Sequence, residues 1–205
     1  MIVIVDYGLG NLFSVQKALE MVGADVKISG RAEDIRTAER IILPGVGAFA
    51  DGMNYLRAKG LDTVLTEEVM GKKKPFLGIC LGLQFLAEVG EEYGEHKGLG
   101  WIKGRVRKLN VEHLGLKIPH IGWNDLEYIR PSPLFAGVNP GADFYFVHSY
   151  HLDVGDPADL VATATYGEKI TAAIQRGNIF ATQFHPEKSQ DNGLKLLENF
   201  LSWKP

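Results

Sequence analysis

The sequence predicts an α/β fold of three layers, with a largely parallel central sheet that carries a nucleophile elbow and with antiparallel strands added by the second half. Three observations carry this expectation. First, short apolar runs at Ile2 to Val5, Arg40 to Leu43 and Phe76 to Ile79 alternate with segments of helical periodicity, the order of βα units around a parallel sheet. Second, beyond residue 100 the chain becomes strand-rich, with turn signals such as Tyr166-Gly167 and Arg176-Gly177-Asn178 between the runs. Third, the Phe76 run stops at Cys80, the only cysteine, inside Gly78-Ile79-Cys80-Leu81-Gly82. Glycines two residues before and two after have the spacing of a strand, sharp turn and helix that raises a nucleophile out of a sheet.

Taken in order, Ile2 to Val5 reads as a buried strand and Asp6-Tyr7-Gly8-Leu9-Gly10-Asn11 as its turn. Leu12, Val15, Leu19 and Val22 then follow helical spacing, with Asn11 able to cap the start and Gly23 placed to end the helix in the left-handed region. Gly8-x-Gly10 does not extend to a dinucleotide fingerprint, because Phe13 stands at the third glycine and the next strand, Asp25 to Ile28, ends without an acidic ribose ligand. Arg40 to Leu43 leads into Pro44-Gly45-Val46-Gly47, and helical periodicity resumes from Met53 to Val69. Glycines flanking Val46 let the backbone turn its N–H groups toward a ligand, as an oxyanion hole requires, although a plain strand-to-helix loop needs no such role. After the elbow, an apolar segment from Leu83 to Val89 predicts the next helix, and Glu91 to Gly100 reads as a solvated surface loop and no more. Strand-length runs follow at Val106 to Leu109, Phe144 to Ser149, Leu160 to Ala164, Ile170 to Gln175 and Ile179 to Phe184, and Asn192 to Trp203 closes the chain as an amphipathic helix.

With 205 residues, 45% hydrophobic and 23% charged, residues 1–205 are expected to fold as one domain without disulfides or a structural metal. A formal charge of -3 with interspersed signs excludes a basic field for nucleic acid. The apolar start ends at Asp6, far short of a signal segment or a membrane span, so a soluble, cytoplasmic protein with no membrane partner is expected. His120, His148 and His151 form no recognised metal motif, and residues three apart on a strand point to opposite faces; neither metal nor cofactor is expected.

A base for Cys80 is found at the end of the Ile179 run, in Gln183-Phe184-His185-Pro186-Glu187-Lys188. Pro186 keeps His185 out of the helical region, and in an extended segment His185 and Glu187 share a face, so the carboxylate can orient the imidazole. A triad in the order Cys80, His185, Glu187 results. A helix N-terminus and a neighbouring imidazolium both favour thiolate at Cys80, whereas a structural cysteine would have no use for either.

Pro44-Gly45-Val46-Gly47, the Gly78 to Gln84 stretch and His185-Pro186-Glu187 together resemble the oxyanion strand, elbow and base of the class I glutamine amidotransferases. The resemblance covers the whole chain and implies a glutaminase: Cys80 attacks the side-chain amide of glutamine, His185 protonates departing ammonia, and water releases glutamate. It also implies that Gly45, Val46, Gly47, Leu81, Gln84, Ser149 and Tyr150 form the oxyanion and glutamine-binding positions. Asp6-Tyr7-Gly8-x-Gly10-Asn11-Leu12, Ile121-Gly122-Trp123-Asn124 and Phe146 to Tyr150 are similar to segments of the imidazole glycerol phosphate synthase branch of that class. That likeness implies a heterodimer with a (β/α)8-barrel cyclase that takes the ammonia to make imidazole glycerol phosphate and AICAR, with Asn11, Trp123, Tyr145 and Lys188 near the docking face. It implies too a site completed on a signal from the partner, through reorientation of a peptide in Gly45-Val46-Gly47. The glutaminase of a different synthase, or a free-standing γ-glutamyl hydrolase or cysteine peptidase, would share the triad.

Overall fold

A computed structural model describes all 205 residues. Its first half is a run of βα units: β1 (Ile2–Val5), α1 (Leu12–Met21), β2 (Val26–Ser29), α2 (Ala32–Thr37), β3 (Arg40–Gly45), α3 (Phe49–Ala58), α4 (Leu61–Leu65), β4 (Phe76–Cys80) and α5 (Leu81–Gln84). The second half supplies β5 (Val89–Gly90), β6 (His96–Lys97), β7 (Gly104–Lys108), β8 (His120–Asp125), β9 (Glu127–Tyr128), β10 (Asp143–His148), β11 (Tyr150–Val154), β12 (Leu160–Tyr166), β13 (Glu168–Arg176), β14 (Ile179–Thr182) and α6 (Gln190–Ser202). Eight strands form the central sheet in the order β2-β1-β3-β4-β14-β13-β12-β9. The first five are parallel, and β13, β12 and β9 extend them antiparallel. There are two smaller sheets, β10-β8 and β11-β7-β5-β6, and the Val147 carbonyl of β10 and the Tyr150 carbonyl of β11 meet Cys80 and Gln84 where β4 finishes.

Strand alternation builds the layers. Ile2 and Ile4 of β1 enter one core, with Val15 and Leu19 of α1 and Leu197 and Phe200 of α6; Val3 and Val5 enter the other, with Phe49, Met53 and Leu56 of α3. Both faces of β1, β3, β4 and β14 are therefore buried, which is why they read as apolar runs, whereas the edge strand β2 exposes Lys27. The hairpin at Gly177 and Asn178 joins β13 to β14, as the turn chemistry predicts.

Four local expectations are corrected. The helix after Cys80 is not Leu83 to Val89 but Leu81–Gln84, because the carbonyls of Phe85, Leu86 and Ala87 accept from Leu99, Ile102 and Gly100 instead of continuing the helix. A helix of one turn has little macrodipole to offer Cys80. The periodicity from Met53 to Val69 is divided by Gly60, left-handed at φ 65°, and its last turn, Thr66–Gly71, widens to a π-helix. Asn11 occupies the N-cap position of α1, but its side chain makes no capping bond.

Candidate active site

Cys80 ends β4 with φ 54° and ψ -105°, a conformation that L residues adopt only under constraint from their surroundings. The constraint is packing of the elbow onto neighbouring backbone. A Cβ at Gly82 would land on the Leu43 carbonyl oxygen, and one at Gly78 would press on the Gly82 carbonyl and Ala181. Only glycine admits that approach, so the G-x-C-x-G spacing is a packing requirement as well as a turn signal. The thiol donates to the Val147 carbonyl at 3.9 Å and accepts from Gln183 Nε2 at 3.6 Å.

His185 follows β14, the strand paired in parallel with β4, and so reaches the same end of the sheet as Cys80. It is extended, as Pro186 requires. Glu187, however, does not share a strand face with it: Pro186–Lys188 is a 3₁₀ turn, and that turn brings Oε1 to 2.8 Å from His185 Nδ1. The pair is buried, and the far nitrogen, Nε2, has no hydrogen-bond partner. Burial opposes charge on this imidazole, but the negative charge available at Cys80 and the Glu187 carboxylate outweigh it, so His185 is pushed up to about 10. An acceptor fixed at Nδ1 and an unpartnered Nε2 suit a group that carries a proton to and from sulfur. The frame around it is tied to β10: His185 N–H donates to Tyr145 O at 2.9 Å, and Tyr145 N–H to Ser189 Oγ at 3.0 Å.

Cys80 opens into a cavity of about 290 Å³. Val46, Gly47, Leu81, Gln84, Ser149 and Tyr150, six of the positions expected from sequence, line it with the cysteine. Gly47 is left-handed at φ 99°. Gly45 is not on the cavity wall; it lies opposite Cys80 in the β3–β4 register, where a side chain would strike the Tyr7 hydroxyl and Leu81. Gln84 is buried, and its Nε2 donates to Tyr150 O at 2.9 Å and to Gln183 Oε1 at 3.1 Å. His120 and His148 are in contact beside the cavity, whereas His151 is buried on another side of its strand without a hydrogen-bond partner.

Two further residues belong to the site. Gln183 joins Gln84 to the Cys80 sulfur, a link visible in the sequence only as a polar residue at the end of an apolar strand. Glu92 is the cavity's one carboxylate and accepts the Phe49 N–H at the start of α3 at 2.8 Å. The segment read as a loop and no more therefore holds a cavity wall as well as β6. Local polarity gave no signal of that, since contact with α3 is a tertiary event.

Trp123, Tyr145 and Lys188 share one surface. Trp123 is 47% exposed and meets the Tyr145 ring edge-on at 6.0 Å, while the Lys188 ammonium stands 5.6 Å from the centre of that ring. Ile121, two residues from Trp123 on β8, is 59% exposed on the same strand face. Asn11 opens α1, which packs on the Pro186–Lys188 turn.

Residues 3–203 match the family described as glutamine amidotransferase class-I. The chain is 50% identical over 200 residues to imidazole glycerol phosphate synthase subunit HisH 1 of Campylobacter jejuni subsp. jejuni serotype O:23/36 (strain 81-176), covering 98% of each. It is 47% identical to imidazole glycerol phosphate synthase subunit HisH of Rhodospirillum rubrum, covering 100% of this chain and 99% of the relative. Among solved structures it is similar to PurLQS from Thermotoga maritima, with a TM-score of 0.77 at 22% identity over 98% of this chain and 96% of that one. A solved glutamine amidotransferase gives a TM-score of 0.74 at 20% identity, covering 97% and 98%.

Proposed function

The chain belongs to the class-I glutamine amidotransferase family, and on that premise we propose that Cys80, His185 and Glu187 are the machinery with which it hydrolyses glutamine. It acts as the glutaminase subunit of an imidazole glycerol phosphate synthase, in histidine biosynthesis. The observation that supports this assignment of residues is that Cys80, on a constrained elbow at the wall of a cavity of amino-acid size, leaves the same end of the sheet as a buried imidazole aligned by a carboxylate, close enough for the charge at Cys80 to raise that imidazole's pKa.

In this reading the Cys80 thiolate adds to the amide carbon of the glutamine side chain, and backbone N–H groups around Val46, Gly47 and Leu81 receive the charge that develops on oxygen. As the C–N bond breaks, His185 gives its Nε2 proton to the leaving nitrogen, which departs as ammonia. Water then loses a proton to the neutral imidazole and attacks the thioester carbon; the C–S bond breaks, and glutamate and the thiolate are released. Glu187 holds the ring in one orientation through both steps. Glu92, the only carboxylate on the cavity wall, is placed to meet the ammonium of the substrate, a partner that a simple amide lacks.

A synthase subunit needs a partner, and the partner proposed is a (β/α)8-barrel cyclase docked on the face that carries Trp123, Tyr145, Lys188 and Ile121. An exposed tryptophan packed on a tyrosine, with an exposed isoleucine beside it, is the composition of an interface anchor. The whole chain, 1–205, is taken as one glutaminase domain, since its central sheet draws strands from both halves. No helix is long and apolar enough to cross a membrane. A cytoplasmic site of action is part of the same proposal and suits a free cysteine whose thiolate is the working form.

The test is Cys80→Ala in the assembled synthase. Glutamine-dependent synthesis is expected to disappear while synthesis from supplied ammonium salt stays within about twofold of wild type, because the thiolate serves only the acyl transfer. Parallel loss of both activities would show that the cysteine supports the fold or the partner and does not act as nucleophile.

A further inference from the structure

His120 on β8 and His148 at the end of β10 have no part in the chemistry described above, yet they form a continuous hydrogen-bonded chain that ends at the cavity. Asn124 Nδ2 lies 2.9 Å from the Thr165 carbonyl and 3.4 Å from His120 Nε2; His120 Nδ1 lies 3.0 Å from His148 Nε2; His148 Nδ1 lies 3.0 Å from the Tyr150 carbonyl. The Tyr150 carbonyl also accepts from Gln84 Nε2, and Gln84 connects through Gln183 to the Cys80 sulfur.

The direction of every proton in this chain follows from its two ends. A carbonyl only accepts, so Tyr150 requires the proton of His148 on Nδ1, and a neutral His148 then presents a lone pair at Nε2. That lone pair requires the proton of His120 on Nδ1, which leaves His120 Nε2 an acceptor. From the other end, the Thr165 carbonyl requires the Asn124 amide to present its NH2, and an NH2 is what His120 Nε2 needs. Both ends give the same pair of Nδ1–H tautomers. Both rings are buried, His120 is stacked on Tyr166 at 4.1 Å and on Phe146 at 5.1 Å, and burial pushes both imidazoles down, to about 4 and about 3, so they are neutral at physiological pH.

We propose that His120 and His148 are positioning residues for glutamine: two neutral imidazoles in one fixed tautomeric register hold the Tyr150 carbonyl, and with it Gln84 and the Ser149–Tyr150 wall of the cavity, where the substrate docks. The inference rests on the reading of this cavity as the glutamine site. The carbonyl is held by two donors, one from the helix that begins at the elbow and one from His148, so loss of the second leaves the wall attached only through Gln84. The register also ties the cavity to β8, the strand whose outer face carries Ile121 and Trp123.

Two substitutions separate the hydrogen bond from the ring. His120→Asn loses the stacking but keeps an N–H near the position of Nδ1; His120→Leu loses both. In the glutaminase assay of the assembled synthase, His120→Leu is expected to raise KM for glutamine about tenfold, the equivalent of one hydrogen bond of about 1.4 kcal/mol, with kcat changed less than threefold. His120→Asn should stay within about threefold of wild type in KM. Equal damage in the two variants, or none in His120→Leu while wild type is active, would overturn the positioning role; a wild type that hydrolysed no glutamine would instead sink the assignment of function. Imidazole 15N spectra of the wild-type chain test the register without any substitution or turnover. Both rings should show a protonated Nδ1 and a bare Nε2, the less common form of free histidine, and a protonated Nε2 on either ring would overturn the proposal.

Discussion

Glu187→Gln isolates the charge that holds the His185 imidazolium. The carboxylate oxygen lies 2.8 Å from Nδ1, both side chains are at most 2% exposed, and the substitution changes no heavy-atom count, so geometry is preserved while the charge is removed. A hydrogen bond to a charged group contributes about 1.5–3 kcal/mol and a neutral one about 1 kcal/mol, a difference of about 0.5–2 kcal/mol that falls on the charged form of the ring. At about 1.4 kcal/mol per pKa unit, the midpoint of His185 should fall by about one unit from its value near 10. The desolvation that opposes the charge is unchanged, so nothing offsets the fall, and an amide turned to present its NH2 to Nδ1 would deepen it. Cys80→Ala, which removes the stronger of the two raising influences, should lower the midpoint further. The assay is an NMR titration of the His185 ring from pH 6 to pH 11 in wild type and both variants. Glutaminase kcat in Glu187→Gln is expected to drop about 10²-fold with little change in KM, since orientation of an acid–base group acts on the transition state. A midpoint unmoved in Glu187→Gln would refute the argument, because it would mean that a carboxylate in contact with a buried imidazolium does nothing for its charge.

Acid should destabilise the fold before its carboxylates begin to protonate. Burial pushes His120, His148 and His151 down to about 4, 3 and 4, whereas in the unfolded chain they take up protons near pH 6.5; the unfolded state therefore binds more protons as pH falls from 6.5, and stability declines with it, by up to about 1.4 kcal/mol per unit for each group. His185 adds no slope on that side, being charged in both states, and its own contribution is complete below pH 6.5 and fades as pH rises toward about 10. Urea midpoints at pH 7.5, 6 and 5 check this, and a flat series between pH 6.5 and 5 would contradict it. Trp123→Ala should weaken docking of the cyclase by about 2 kcal/mol, or about 30-fold in Kd by calorimetry, while the urea midpoint of the isolated chain barely moves, because the indole is half exposed before binding. Unchanged affinity would move the docking face elsewhere.

The residues that sequence alone determined are those whose role is local. Gly78 and Gly82 around Cys80 announce an elbow because no side chain fits against the Leu43 and Gly82 carbonyls, and Pro186 announces an extended His185 because the proline ring excludes the helical alternative. Apolar runs with strand and helix periods gave the layers, since both faces of a parallel strand are buried and one face of a helix is. Tertiary structure decided whatever depends on a partner distant in the chain. The helix after Cys80 stops at Gln84 because N–H groups from residues 99 to 102 take the carbonyls that another turn would have used. Glu92 becomes a cavity wall only when α3 offers it the Phe49 N–H, and His185 finds Glu187 across a 3₁₀ turn that a strand-period reading does not contain. The register of His120 and His148 was beyond the sequence for the same reason: it is dictated by the Thr165 and Tyr150 carbonyls, which lie at the two ends of a chain of hydrogen bonds between four different strands. Periodicity and turn chemistry act over a few residues, whereas a buried polar atom must satisfy its hydrogen bonds with whatever the fold brings near it.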